Sequence, residues 1–311
     1  MNISTSQEID NLSVDQLRTA IQDFVKGYSV ETTPHDIDVI DKYPDFLGHG
    51  AAVYVAHVPG GHVDEIIKMS AALIEHGFTA VPHIAARRHG SEALLNQALG
   101  SLRDIGVDRI LVIAGDVDPP EGPFTSAIDV LKTGLLEKHG FSTVGISGHP
   151  EGNSVISDAD LNAALMEKAE YAKTSPLNMH ITTQFGFSPE AFLQWEQETT
   201  AKGVNFPIHI GMAGPVSLKK LIALSMRCGI GDSLKLLKKN ASAVANLLTV
   251  SGPDPMITAI ARHVALTPDS RFKSTHFFAF GGVEKTARWL NAVIRGEFEL
   301  NKDLTGFSVK A

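Results

Sequence analysis

Cysteine is nearly absent. Cys228 is the single thiol in 311 residues, so no internal disulfide can form, which fits a reducing compartment. Long hydrophobic runs are missing as well. Nowhere do ~18 apolar residues follow one another, and the opening MNISTSQEIDNLSVDQ has neither a basic segment nor an apolar core. Neither a membrane span nor an export signal is expected, and the cytoplasm is the expected location. Positive charge is scarce: 27 Lys and Arg stand against 35 Asp and Glu, a formal net charge of -8. The Arg87-Arg88 pair is too small to neutralise a phosphate backbone, so no nucleic-acid partner is expected. Finally, no Pro/Gly/Ser-rich linker divides the chain, so residues 1–311 read as one domain, with self-association into a homo-oligomer left open.

What is there is ordinary globular material, 43% hydrophobic and 20% charged, in a repeating order. Short apolar, β-branched runs fall at 27–32, 51–57, 79–85, 109–116, 142–148, 179–185, 206–212 and 275–281. Between them, stretches such as 63–77, 91–106 and 189–203 carry apolar residues at helical spacing and end on glycine. Strands that are apolar almost throughout are buried on both faces, and their alternation with helices implies a parallel sheet with right-handed crossovers. Eight such units predict a (β/α)8 barrel. The spacing adds a leading helix at 13–25, expected to close the barrel floor, and extra helices at 217–228, 233–248 and 254–265 between the last two strands.

In such barrels the working residues stand at the C-terminal ends of the strands. Glu31 ends the first run, where burial would raise its pKa toward that of a useful general acid; a rim glutamate, solvated or ion-paired, is the plainer reading. Asp116, in IAGD, enters the loop beside any bound ring system, or it serves as a turn or capping residue. Gln184 offers a donor and an acceptor in an apolar wall, suited to the amide edge of a flat heterocycle or to a neighbouring loop. The strand histidines His57, His83, His180 and His209 need not converge, and no His-x-His marks the first strand, so no metal is expected. The segment 148–154, GHPEGNS, could meet a phosphate through its backbone or be a simple turn; it lacks both the G-x-x-x-x-G-K-S/T and the G-x-G-x-x-G spacing.

Taken in order, these positions resemble the methylenetetrahydrofolate reductase family. Ser29-Val30-Glu31 with Pro34 matches its first strand, Pro82-His83 the third, Gly115-Asp116 with Pro119 the fourth, and His149-Pro150-Glu151 the segment after the fifth. Thr183-Gln184-Phe185 matches the sixth strand, Gly211 and Gly214-Pro215-Val216-Ser217 the segment after the seventh, and His276-Phe277 the last strand. The resemblance covers about residues 13 to 295.

It implies an oxidoreductase of one-carbon metabolism, on the route to methionine, that reduces 5,10-methylenetetrahydrofolate to 5-methyltetrahydrofolate with NADH or NADPH through FAD. On that reading Glu31 is the acid, and Asp116 stabilises the cation formed and tunes the flavin. Gln184, Leu218 and Phe277 contact the folate. Ala56, His57, His83, Ala114, Gly115, Asp116, Ser147, Gly148, His149, Asp158 and Lys168 contact FAD. The chain departs from the family where FAD binds: Ala56 replaces a common threonine, Ala114 a frequent arginine and Ser147 an aromatic, while Leu218 replaces a substrate-stacking phenylalanine. Loss of one arginine-phosphate hydrogen bond costs roughly 1.5–3 kcal/mol. These departures leave a flavin-free, tetrahydrofolate-binding methyl-transfer barrel as the alternative.

Overall fold

The computed structural model describes residues 12–227 and 250–310 and closes eight parallel strands into a barrel. They are β1 (Ser29–Thr32), β2 (Ala52–Val55), β3 (Thr79–Ala85), β4 (Arg109–Ile113), β5 (Thr143–Gly148), β6 (Asn178–Thr183), β7 (Ile208–Ala213) and β8 (Phe272–Phe278). Each pairs with the next, and β8 pairs with β1 to close the ring.

Strand geometry sends alternate residues to opposite faces, and the chemistry of this sequence divides along that line. Val30, Val53, Ile84, Val112, Ile146, Ile181, Ile210 and Phe277 are all but inaccessible and belong to the core between strands and helices. Full burial of each stabilises by roughly 1.5–3 kcal/mol. The inward set is polar and aromatic: Glu31, Tyr54, His83, His180, His209 and His276 are joined by the contacts described below. Gly145 makes room for them, since a Cβ there would stand 2.8 Å from Leu111 Cδ1 and 3.0 Å from His180 Nε2.

The helices are α1 (Val14–Val25), α2 (Val63–Glu75), α3 (Glu92–Asp104), the short α4 (Ala127–Lys132) and α5 (Leu135–Lys138), α6 (Asp158–Ala172), α7 (Pro189–Ala201), α8 (Leu218–Arg227), α9 (Asp254–Leu266) and α10 (Val283–Ile294). Ser13 and Gln16 cap the start of α1 reciprocally, satisfying two of its free N–H groups. Its apolar face, Leu17, Ile21, Phe24 and Val25, packs on α9, α10 and β8. Arg18 donates to the carbonyls of Gly296 and Phe298. The leading helix thus joins the outer ring beside the last two helices, where the floor was expected.

Other boundaries shift for local reasons. β4 stops at Ile113, because Gly115 turns the chain at φ +93° and lies against Ala85, where a Cβ would sit 3.1 Å from that side chain. A 3-10 helix, Pro34–Asp45, follows β1 in place of an α-helix, with Pro34 at its start and Pro44 inside it. β8 runs three residues earlier than the apolar pattern indicated. Of the extra helices, α8 and α9 stand where expected, while 233–248 lies outside the described residues. Buried Glu196 on α7 accepts from Ser270 Oγ, the Arg271 N–H and His263 Nε2, tying α7 to α9 and the entry of β8.

Candidate active site

Glu31 stands at the C-terminal end of the barrel with its side chain 15% exposed. His83 Nε2 from β3 lies 3.4 Å from its Oε2, and His276 Nε2 from β8 lies 3.7 Å from the same oxygen. Neither ring nitrogen has a hydrogen-bond partner, although both are buried. Desolvation dominates all three groups. It raises the Glu31 carboxyl, which His83 only partly counteracts, and it lowers His83 to about 4 and His276 to about 3. Burial thus favours the protonated form of Glu31 and the neutral forms of both imidazoles.

Below this acid the interior stays polar. The His276 ring lies 4.4 Å from Tyr54, Tyr54 Oη shares a 3.2 Å hydrogen bond with His180 Nε2, and His180 stacks on His209 at 4.2 Å. Sequence spacing did not reveal this convergence. The signal was present in the alternation, since residues two apart along a strand share a face. Even so, among the described residues no group of three or more His, Cys, Asp or Glu side chains could hold a metal ion.

Asp116 occupies the loop after β4. Arg88, just beyond β3, grips its Oδ1 through Nε at 3.1 Å and Nη2 at 2.8 Å. Nothing in the sequence spacing marks Arg88 as a functional neighbour. Burial lowers the pKa of His57, which also senses the charges of Arg88 and Asp116, and its Nε2 bonds to the Gly61 carbonyl at 3.2 Å. Ala56 N–H donates to Thr32, and the Ala114 carbonyl accepts from Arg87 N–H, so both alanines are held by backbone.

The other predicted cofactor contacts assemble elsewhere. Ser147, Gly148, His149 and Asp158 line a cavity of about 540 Å³ between the end of β5, the start of α6 and Trp195 on α7. Lys168 lies one turn deeper on the α6 face that presents Leu161 and Leu165 to this cavity. It is 7% exposed, no hydrogen bond or ion pair engages its ammonium among the described residues, and burial lowers its pKa. His149, pushed down to about 4 first by burial and then by the Lys168 charge, stands beside it. The charge of the neighbouring Glu167 partly opposes the effect of burial on Lys168, and the cavity next to it is also lined by Glu151, Asp158 and Glu198. The site-residue expectations thus fall into two groups, one with Glu31, His83 and Asp116 and one with Ser147, Gly148, His149 and Asp158 around the cavity.

Gln184 follows β6 directly, its N–H donating to the Gly148 carbonyl. Leu218 begins α8 and is nearly buried. Phe277 must be corrected. It points outward, wholly inaccessible, with its ring edge-on to Tyr28 at 6.1 Å, and cannot touch a ligand in the barrel mouth. Strand alternation gives the inward position to its neighbour Phe278, which pairs in register with Glu31. Phe278 joins Phe185, Phe187 and Phe280 in an aromatic cluster at the ends of β6 and β8.

A closed (β/α)8 barrel with a buried carboxyl and two buried histidines at the C-terminal ends of its strands, and an aromatic wall beside them, is the architecture of an enzyme. Comparison with known proteins supplies the family. The methylenetetrahydrofolate reductase profile matches residues 49–246, and the chain belongs to this family, which makes it an oxidoreductase acting on a folate. The match begins after β1 and so does not include Glu31. Among solved structures, the chain is similar to dihydropteroate synthase from Thermus thermophilus, at 12% identity and a TM-score of 0.45, over 87% of this chain and 93% of that one. Among the described residues no helix is long and apolar enough to cross a membrane.

Proposed function

We propose that the protein reduces 5,10-methylenetetrahydrofolate to 5-methyltetrahydrofolate, drawing hydride from NADH or NADPH through FAD. The observation that carries this reading is Glu31, a buried carboxyl at the mouth of the barrel, set between His83 and His276, whose pKa burial raises. Opening the methylene bridge requires a proton on the departing folate nitrogen, and a carboxyl with a raised pKa supplies one near neutral pH. Glu31 gives up its proton as the carbon–nitrogen bond breaks, leaving an iminium carbon that accepts hydride to become the methyl group. The Glu31 carboxylate then regains a proton from solvent. When bound, FAD supplies the hydride carrier between nicotinamide and folate.

Lys168 and His149, with Ser147, Gly148 and Asp158, would hold the phosphate-bearing end of FAD. Ala56, His57, His83, Ala114, Gly115 and Asp116 would line its ring end. Asp116 stabilises the transient cation, its charge moderated by Arg88. Gln184 orients the pterin, while Leu218 and Phe278 provide apolar contact.

One observation favours the flavin-free methyl-transfer reading. Glu151, Asp158 and Glu198 also line the cavity, an acidic rim for an anionic ligand. An anaerobic absorbance titration decides between them. The reductase reading expects the protein to take up FAD, NAD(P)H to bleach it, and methylenetetrahydrofolate to restore the colour. Saturating FAD and nicotinamide without folate turnover would end that reading, and failure to retain any flavin would support the alternative.

A further inference from the structure

The two orphaned imidazole nitrogens beside Glu31 differ in one respect: the other ring nitrogen of His276 is held by a hydrogen bond to Ser29. Ser29 Oγ donates to the Thr275 carbonyl at 3.3 Å and lies 2.9 Å from His276 Nδ1. A serine hydroxyl has one proton and a carbonyl can only accept, so both contacts are hydrogen bonds at once only when that proton goes to Thr275. The short contact to Nδ1 then requires an Nδ1–H donating to Ser29 Oγ. A neutral imidazole carries a single N–H, so Nε2 is left with its lone pair, aimed at Glu31 Oε2. Tyr54 and Phe278, with ring centroids at 4.4 and 5.0 Å, hold the imidazole in this orientation.

We infer that His276, its tautomer set by Ser29, is a positioning residue that presents a bare nitrogen to Glu31 and so keeps the proton of this acid in place. A lone pair facing a carboxyl favours the O–H form and disfavours the anion, whereas an N–H there would do the reverse. The 3.7 Å separation is long for a hydrogen bond, as catalytic contacts often are before substrate enters. Burial keeps His276 neutral, so the lone pair is available.

The other groups packed around this pair do not set it. Tyr54 from β2 bonds to His180, and His209 from β7 stacks on His180. Arg109 at the start of β4 acts electrostatically on Tyr54, His180 and His209. His83 from β3 faces Glu31 directly and senses the charges of His276 and His57. No hydrogen bond among the described residues locks the tautomer of His83.

The inference rests on Glu31 being the folate acid, but its first test needs neither folate nor flavin. In protein labelled with 15N-histidine, the His276 signals should show a protonated Nδ1 and an unprotonated Nε2, assigned by loss in His276→Gln; a protonated Nε2 would overturn the inference. In protein labelled with 13C-glutamate, with Glu31 assigned by Glu31→Gln, Ser29→Ala frees the ring to turn Nε2–H toward the carboxylate. The Glu31 titration should then fall by about one pH unit or more, which corresponds to about tenfold in proton affinity. Ser29→Thr, which keeps the hydroxyl, should restore it. The basic limb of the folate half-reaction should move by the same amount, with NAD(P)H-dependent flavin reduction unmoved. A Ser29→Ala protein that turns over more slowly with no shift in the Glu31 titration would reduce Ser29 and His276 to packing. A protein with the expected tautomer but no folate turnover would instead refute the proposed function alone.

Discussion

Acidification should unfold this protein steeply, and the structure sets the slope. Six histidines, His83, His89, His149, His180, His209 and His276, are pushed by burial to about 4, or about 3 for His180 and His276. In the unfolded chain each titrates near 6.5. Their folded values are depressed, so the stability they confer is complete above about pH 6.5 and is lost as the pH falls toward 4. Near pH 5 the unfolded chain binds about 0.9 more proton per histidine than the folded one, which is ~1.2 kcal/mol per pH unit each. All six together give ~7 kcal/mol per pH unit, and ~3 if water entry and relaxation halve the penalty. Whole domains have only about 5–15 kcal/mol in total. Glu31 acts in the opposite sense: its raised pKa adds stability below the usual carboxylate range that is lost as the pH rises through the folded value. One carboxyl offsets a fraction of six imidazoles. Urea unfolding followed by far-ultraviolet circular dichroism, in steps from pH 7 to 5, measures the slope directly. Stability that stayed within about 1 kcal/mol over that range would show the interior histidines titrating as if in water, and the reasoning about a dry polar barrel would fail.

Glu31→Gln should leave flavin reduction by NAD(P)H nearly intact while the folate half-reaction falls ~10²-fold or more; stopped-flow measurement of both half-reactions checks this, and equal losses would contradict the role. In the wild type the folate step should decline as the pH rises through the elevated Glu31 pKa, because only the protonated carboxyl is the acid; a rate that climbed with pH would contradict it. Lys168→Met removes a buried cation whose charged form burial disfavours, so the ligand-free protein should melt no lower than wild type while its FAD affinity drops ~10-fold or more; calorimetry and a flavin titration separate the two effects. Gly148→Ala should cost ~1–3 kcal/mol in chemical denaturation, since its Cβ would stand 2.5 Å from Ile181 Cγ2 and 3.0 Å from the Trp195 ring. An unchanged midpoint would mean that β5 and α7 are less closely packed there than described.

The barrel itself was legible because its cause is local and repeated. Apolar runs at 51–57, 79–85 and 142–148, separated by amphipathic stretches, dictate parallel strands buried on their outer face whatever the rest of the molecule does. Glu31, Asp116, Gln184, His83 and the 148–154 loop could be picked out for the same reason, as polar residues at the ends of apolar runs. What the sequence did not reveal lies between strands. Phe277 and Phe278 are adjacent and alike, and only the pairing of β8 with β1 shows that the second faces Glu31 while the first supports Tyr28.

The partnership of Ser29, Glu31 and His276 joins residues some 245 positions apart, the binding of Asp116 by Arg88 joins the segments after β3 and β4, and the effect of Lys168 on His149 joins α6 to the end of β5. Periodicity alone determined that there would be a barrel and which end would do chemistry, because hydrophobic burial follows local pattern. Tertiary structure decided which of those residues share a proton, since desolvation and hydrogen-bond direction depend on neighbours that only ring closure brings together.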